Sequence, residues 1–194
     1  MTLLELVVGL TVSGVTVSAG YAAFSSMVDH RARAEAQMDE VARSADGRRT
    51  LVGWLEGARL QVDQNGPQFR GLDGVYRGLP DDELSFLATS PGSAGAGEPV
   101  IRLYIDRDTL TPERGLTAEL SRHAGMERIE IEPRAAGLDF RYSTNALGQT
   151  EWLPSWISST VLPLGVEVRV LPEPGDSLAP LFQFPILVPI GAGR

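Results

Sequence analysis

The chain has 194 residues, no cysteine and no lysine, and its 25 acids outweigh 17 arginines to give a net charge of -8. That length suits one medium domain with an appendage, and the acidic balance argues against the basic stripe that a nucleic-acid surface carries. Without cysteine there is no disulfide, thiolate metal site or cysteine nucleophile. The charge is uneven: Glu5 is the only charged side chain before residue 29, residues 29–60 are neutral, and the remaining seven net negatives fall in 61–194.

From Leu6 to Val28 the chain has no charged residue. At ~1.5 Å per residue this stretch is long enough to cross a hydrocarbon layer of ~30 Å. Residues 1–28 therefore read as a transmembrane helix. No Arg or Lys precedes it, so it lacks the basic region of a secretory signal. Arg31 and Arg33 are flanked by Asp29 and Glu35, which blurs the positive-inside signal; removal of a basic leader ahead of Met1 would place the head across the membrane from the cytoplasm. Glu5 is the unusual residue. A helix N-terminus favours a carboxylate, but one at the edge of hydrocarbon is costly without a partner, so capping and assembly both remain open at this point. Gly9, Ser13, Gly14, Thr16 and Gly20 put small residues along the same helix, as close helix approach in lipid requires and as ordinary membrane composition also supplies.

Residues 29–60 continue as an amphipathic helix, with Met38, Val41, Ala45, Val52 and Leu55 on one face. Gly47 and Gly53 weaken it by up to ~1 kcal/mol each and allow a bend, and Trp54 is expected to pack beneath the head. From residue 61 to 194 the period changes to two. The runs GVYRG, ELSFLAT, VIRLYID, RIEIE, LDFRYS, GVEVRVL and FQFPILVPI, bounded by Gly, Pro and Asp, predict antiparallel strands in a β-rich globular head. SPGSAGAGEP, residues 90–99, reads as a mobile surface loop, and residues 145–148 as a turn. The fold class is α+β: a long N-terminal helix packed on an antiparallel sheet head.

MTLLELVVGL resembles the start of a mature type IV pilin or type II secretion pseudopilin. In that family a prepilin peptidase removes a leader and N-methylates residue one, usually Phe and here Met1; Thr2, Leu3, Leu4, Glu5 and Leu6 match the pattern. The resemblance implies that the amino group of Met1 in one subunit pairs with Glu5 of a neighbour. Breaking such a buried pair costs ~3–5 kcal/mol although the intact pair adds little net stability, so Glu5 would select position in the assembly. Major pilins often carry Pro near position 22; Ala22 here implies a more continuous helix. In the head, the order ELSFLAT, VIRLYIDRDTLTPERG, GLDFRYS, GQTEWLPSW and LPLGVEVRVL resembles the J-type minor pseudopilin.

This resemblance implies a structural, non-catalytic subunit of a type II secretion pseudopilus tip. Its partners would be I-, K- and H-type minor pseudopilins, the major pseudopilin, the prepilin peptidase, inner-membrane lipid and secreted substrates, with no nucleic acid and no cofactor. It would be a single-pass inner-membrane protein with a periplasmic head. The alternatives are a minor pilin of a type IV pilus or DNA-uptake system, and a single-pass anchored enzyme or binding protein.

The side-chain chemistry adds no catalytic constellation. His30 and His123 have no ligand set beside them and read as solvated or capping. Asp106 and Asp108 lack the Gly and Glu of a calcium loop, so a hairpin turn explains them better. SPGSAGAGEP has no GK[ST] ending, and no GxSxG is present. Trp152 and Trp156, flanking Pro154 in a loop-like stretch, are candidate interface anchors, with closure of one end of the head core as the competing reading.

Overall fold

A computed structural model describes residues 3–60, 69–89, 98–122, 125–146 and 148–190. The chain divides into two compact units, Met1–Ala42 and Arg43–Arg194. Helix α1, Leu3–Glu56, begins in the first and ends in the second.

In the first unit the apolar side chains of α1 face outward on all sides: Leu10 and Val17 are about as exposed as Leu3 and Tyr21. A helix in water hides its apolar side chains along one stripe, so this pattern needs another apolar medium around it. The helix is long and apolar enough to cross a membrane. Three hydroxyls within it are already satisfied: Thr11 donates to the carbonyls of Val7 and Val8, Ser13 to Gly9 at 2.8 Å, and Thr16 to Val12 at 2.8 Å. Each polar side chain is thereby made compatible with lipid.

The second unit closes a single core between the last turns of α1 and two antiparallel sheets. The strands are β1 (Ala58–Arg59), β2 (Phe69–Leu72), β3 (Val75–Tyr76), β4 (Leu79–Pro80), β5 (Glu83–Ala88), β6 (Val100–Asp106), β7 (Gly115–Arg122), β8 (Gly125–Glu132), β9 (Ala135–Ala146), β10 (Gln149–Leu153), β11 (Trp156–Ser158), β12 (Gly165–Pro172) and β13 (Ile186–Pro189). The larger sheet has the order β11-β2-β5-β6-β7-β8, with β1 also paired to β5; the smaller runs β10-β9-β12-β13; β3 and β4 form a separate hairpin. Alternation sets the inner faces. Leu84 and Phe86, Ile101 and Leu103, and Leu116 and Ala118 point inward from the large sheet, and Phe140 and Tyr142, Val166 and Val168, and Ile186 and Val188 from the small one. An aromatic chain joins them: Phe69 to Phe86 at 5.9 Å, Phe69 to Tyr142 at 6.2 Å and Tyr142 to Trp156 at 6.5 Å.

Several expectations need correction. The helix ends at Glu56, short of residue 60, because the chain turns at Gly57 and Ala58–Arg59 pair as β1 with β5. A side chain at Gly57 would meet the carbonyl of Thr89 at 3.0 Å. Of the expected face, Leu55 is buried and Val52 packs against the core, but Met38 and Val41 are exposed, and the buried stripe of the last turns is Ser44, Leu51, Trp54 and Leu55. Trp54 packs in the core as expected. GVYRG is no single strand but the β3–β4 hairpin, turning at Arg77 and Gly78. The period-two reading passed over β7, whose GLTAELSR lies between β6 and β8 in the large sheet. Most of the glycine-rich stretch, residues 90–97, lies outside the described residues.

Candidate functional site

The residues singled out from the sequence fall in three places. Met1 lies outside the described residues, and Glu5 is placed by its backbone in the first turns of α1, with its side chain outside the description. Gly9, Gly14 and Gly20 are all in α1, and a Cβ at any of them would meet nothing within 4 Å. Among the described residues no atom fills the space beside these glycines, so they are open to an approaching helix. The hydroxyl of Ser13, by contrast, is spent on its own helix.

Trp152 and Trp156 are not in one loop. Trp152 lies on β10 at the edge of the small sheet, opposite Ser143 of β9, and is 40% exposed; Trp156 lies on β11 at the edge of the large sheet, opposite Gly71. Pro154 and Ser155 carry the chain from one sheet to the other. Trp156 packs against the core and donates its indole N–H to the carbonyl of Val161 at 3.2 Å. It helps close the core while staying partly exposed, and Trp152 is the more exposed of the two. Asp106 and Asp108 shape the β6–β7 turn: Asp106 accepts from the Asp108 backbone N–H at 2.8 Å and from the Thr111 hydroxyl, and Asp108 accepts from the N–H of Leu110. Among the described residues no three His, Asp or Glu side chains gather as metal ligands. His30 lies on α1, and His123 is outside the described residues.

Two features were missed at the level of sequence. The first is a buried carboxylate where the sheets meet. Asp82 is 3% exposed; one oxygen accepts the N–H of Gly74 at 3.0 Å and the other that of Phe140 on β9 at 2.7 Å. Its own N–H donates to the carbonyl of Leu138 at 2.9 Å, and Asp81 bridges Leu138 in parallel. The carboxylate thus ties the β2–β3 connection to the small sheet. Burial pushes its pKa up from 3.8 to about 6; the two N–H bonds oppose that rise, while Asp73 and Asp139 reinforce it. Beside it the buried hydroxyl of Tyr142 has no hydrogen-bond partner among the described residues, and burial raises its pKa well above the usual phenol range.

The second is a cleft of about 750 Å³ at one end of both sheets, formed by the β3–β4 hairpin, the β6–β7 and β8–β9 turns and the segment after β12. Arg107 is held firmly there. It donates to Asp81 at 2.6 Å and to the Ala136 carbonyl at 2.9 Å, and it lies 4.3 Å from the ring centre of Tyr76. The only cue to this cleft in the sequence is the Arg77-Gly78 pair, a turn signal whose surroundings only the fold supplies.

Compared with protein-family models, curated proteins and solved structures, the chain has no significant match.

Proposed function

We propose that this protein is a structural subunit of a pilin-like envelope filament, most like a J-type minor pseudopilin of type II secretion. The observation that carries the reading is a single carboxylate, Glu5, in the opening turns of an apolar helix whose side chains otherwise have no place in water. Lipid accounts for the apolar surface but leaves that carboxylate without compensation. A neighbour's amino terminus compensates it. The open positions at Gly9, Gly14 and Gly20 support close helix packing, and the order of long helix then antiparallel sheets matches what the resemblance implies. The protein does no chemistry itself; the prepilin peptidase processes and methylates Met1, and the head, periplasmic in this reading, meets the other minor pseudopilins and exported substrates.

The test is Glu5→Val in the full-length precursor. Membrane insertion is expected to persist, while crosslinking into the filament with the other pseudopilins falls by about a hundredfold or more, the equivalent of an unpaired charge in an apolar bundle. Normal crosslinking by the variant, or a native first residue that carries no N-methyl group in mass analysis, refutes the assignment.

A further inference from the structure

Most arginines on the head strands and turns are paired within the chain: Arg102 with Glu83, Arg107 with Asp81, Arg128 with Glu119, Arg134 with Glu132, Arg141 with Asp139 and Arg169 with Glu167. The cleft at the end of the sheets departs from this. Among the described residues, the guanidinium of Arg77 meets only the ring of Tyr76, at 5.3 Å, and that of Arg114 has no partner; the side chains of Glu173 and Asp176, lining the same cleft from the segment after β12, have none there either. Four charges, two of each sign, share one cleft without pairing with each other.

Arg77 adds an independent observation. It has φ 51° and Gly78 φ 84°, the pair of positive values of a two-residue type I′ hairpin. That first position favours Asn, Asp or Gly, and a long side chain is disfavoured there. A residue kept in a conformation that does not suit it, with its charged group free in a cleft, points to use of that group.

The geometry points to a peptide-recognition cleft in which Arg77 and Arg114 bind a carboxylate of a partner polypeptide while Glu173 and Asp176 bind a nearby basic side chain of the same segment. Its volume is in the range of ligand sites of ~300–1,000 Å³. The two acids disfavour phosphate and nucleic acid, as does the net negative head. A guanidinium matches a carboxylate with two parallel N–H donors, and ordered aromatic and backbone contacts hold the surrounding wall in place. This inference stands apart from the filament assignment, since it uses only residues of the head.

The test uses the full chain in detergent micelles, with the Nε–H resonances of Arg77 and Arg114 followed by NMR. Three probes are titrated: a capped peptide alternating Glu and Lys, a capped all-Glu peptide of equal length, and inorganic phosphate. The mixed-charge peptide is expected to shift both resonances saturably and to bind at least about tenfold more tightly than the other two. Arg77→Asn and Arg114→Gln, and separately the Glu173→Gln, Asp176→Asn pair, should each weaken it by about tenfold. Arg77→Asn should leave the melting temperature unchanged or higher, because Asn suits the turn. The proposal is overturned if the mixed-charge peptide moves neither resonance at millimolar concentration, if phosphate or the all-Glu peptide binds as well, or if Arg77→Asn keeps full affinity.

Discussion

Asp82 should make the head less stable as pH rises from about 4 to about 6. Its carboxyl is buried between the β2–β3 connection and β9, with two backbone N–H donors and, among the described residues, no cation bonded to it. Arg107 is committed to the neighbouring Asp81. The folded-state pKa is about 6, against 3.8 as the ordinary value. Between those values the folded state holds a proton that the unfolded chain has released, so stability is greatest below about 4, declines as pH rises towards 6 and then levels off. A shift of that size corresponds to about 3 kcal/mol. Asp82→Asn removes the ionisation while retaining one acceptor, at the loss of the other N–H bond, which costs about 1–3 kcal/mol at every pH. The assay is urea unfolding of the full chain in micelles at pH 4, 5, 6 and 7, read as the difference between wild type and variant so that other carboxylates cancel. The wild type should exceed the variant most at pH 4, and its advantage should shrink by about 3 kcal/mol by pH 7. A difference that stays flat, or that grows with pH, refutes the assignment of a desolvated carboxyl at this junction.

Three further substitutions probe the packing. Gly71→Ala should destabilise the head by several kcal/mol, about 3 or more, because its Cβ would fall 2.0 Å from the Tyr142 hydroxyl oxygen with the ring fixed in the core; an unchanged midpoint in urea would show that the ring is free to move. Gly53→Ala should raise stability by about 0.5–1 kcal/mol, since nothing lies within 4 Å of the added methyl and the residue is helical. Tyr142→Phe removes a buried hydroxyl that has no partner among the described residues and should leave the melting temperature equal or raise it, by up to about 1 kcal/mol in stability; a clear loss would reveal a bond to that oxygen.

The parts legible in the sequence are those written in a local repeat. An uncharged run ahead of Asp29 specifies the apolar helix, and Leu84, Phe86, Ile101 and Leu103 announce their inner face by alternation alone. Glu5 stood out because it breaks the first of these patterns. Strand β7 was missed because a strand covered on both sides loses clean alternation: Thr117 is fully buried beside Leu116 and Ala118, so GLTAELSR reads as neither period. What only the tertiary structure decided is which distant segments meet. Trp152 and Trp156 are four positions apart yet belong to different sheets, one exposed and one packed on Tyr142. Asp82 looks like any surface acid until Gly74 and Phe140 present their N–H groups to it, and Arg77 acquires a cleft only when turns from both sheets converge. Periodicity records which side of an element faces inward; the desolvation of a charge and the company it keeps depend on chain brought from 58 residues away, as with Asp82 and Phe140, and that pairing has no local signature.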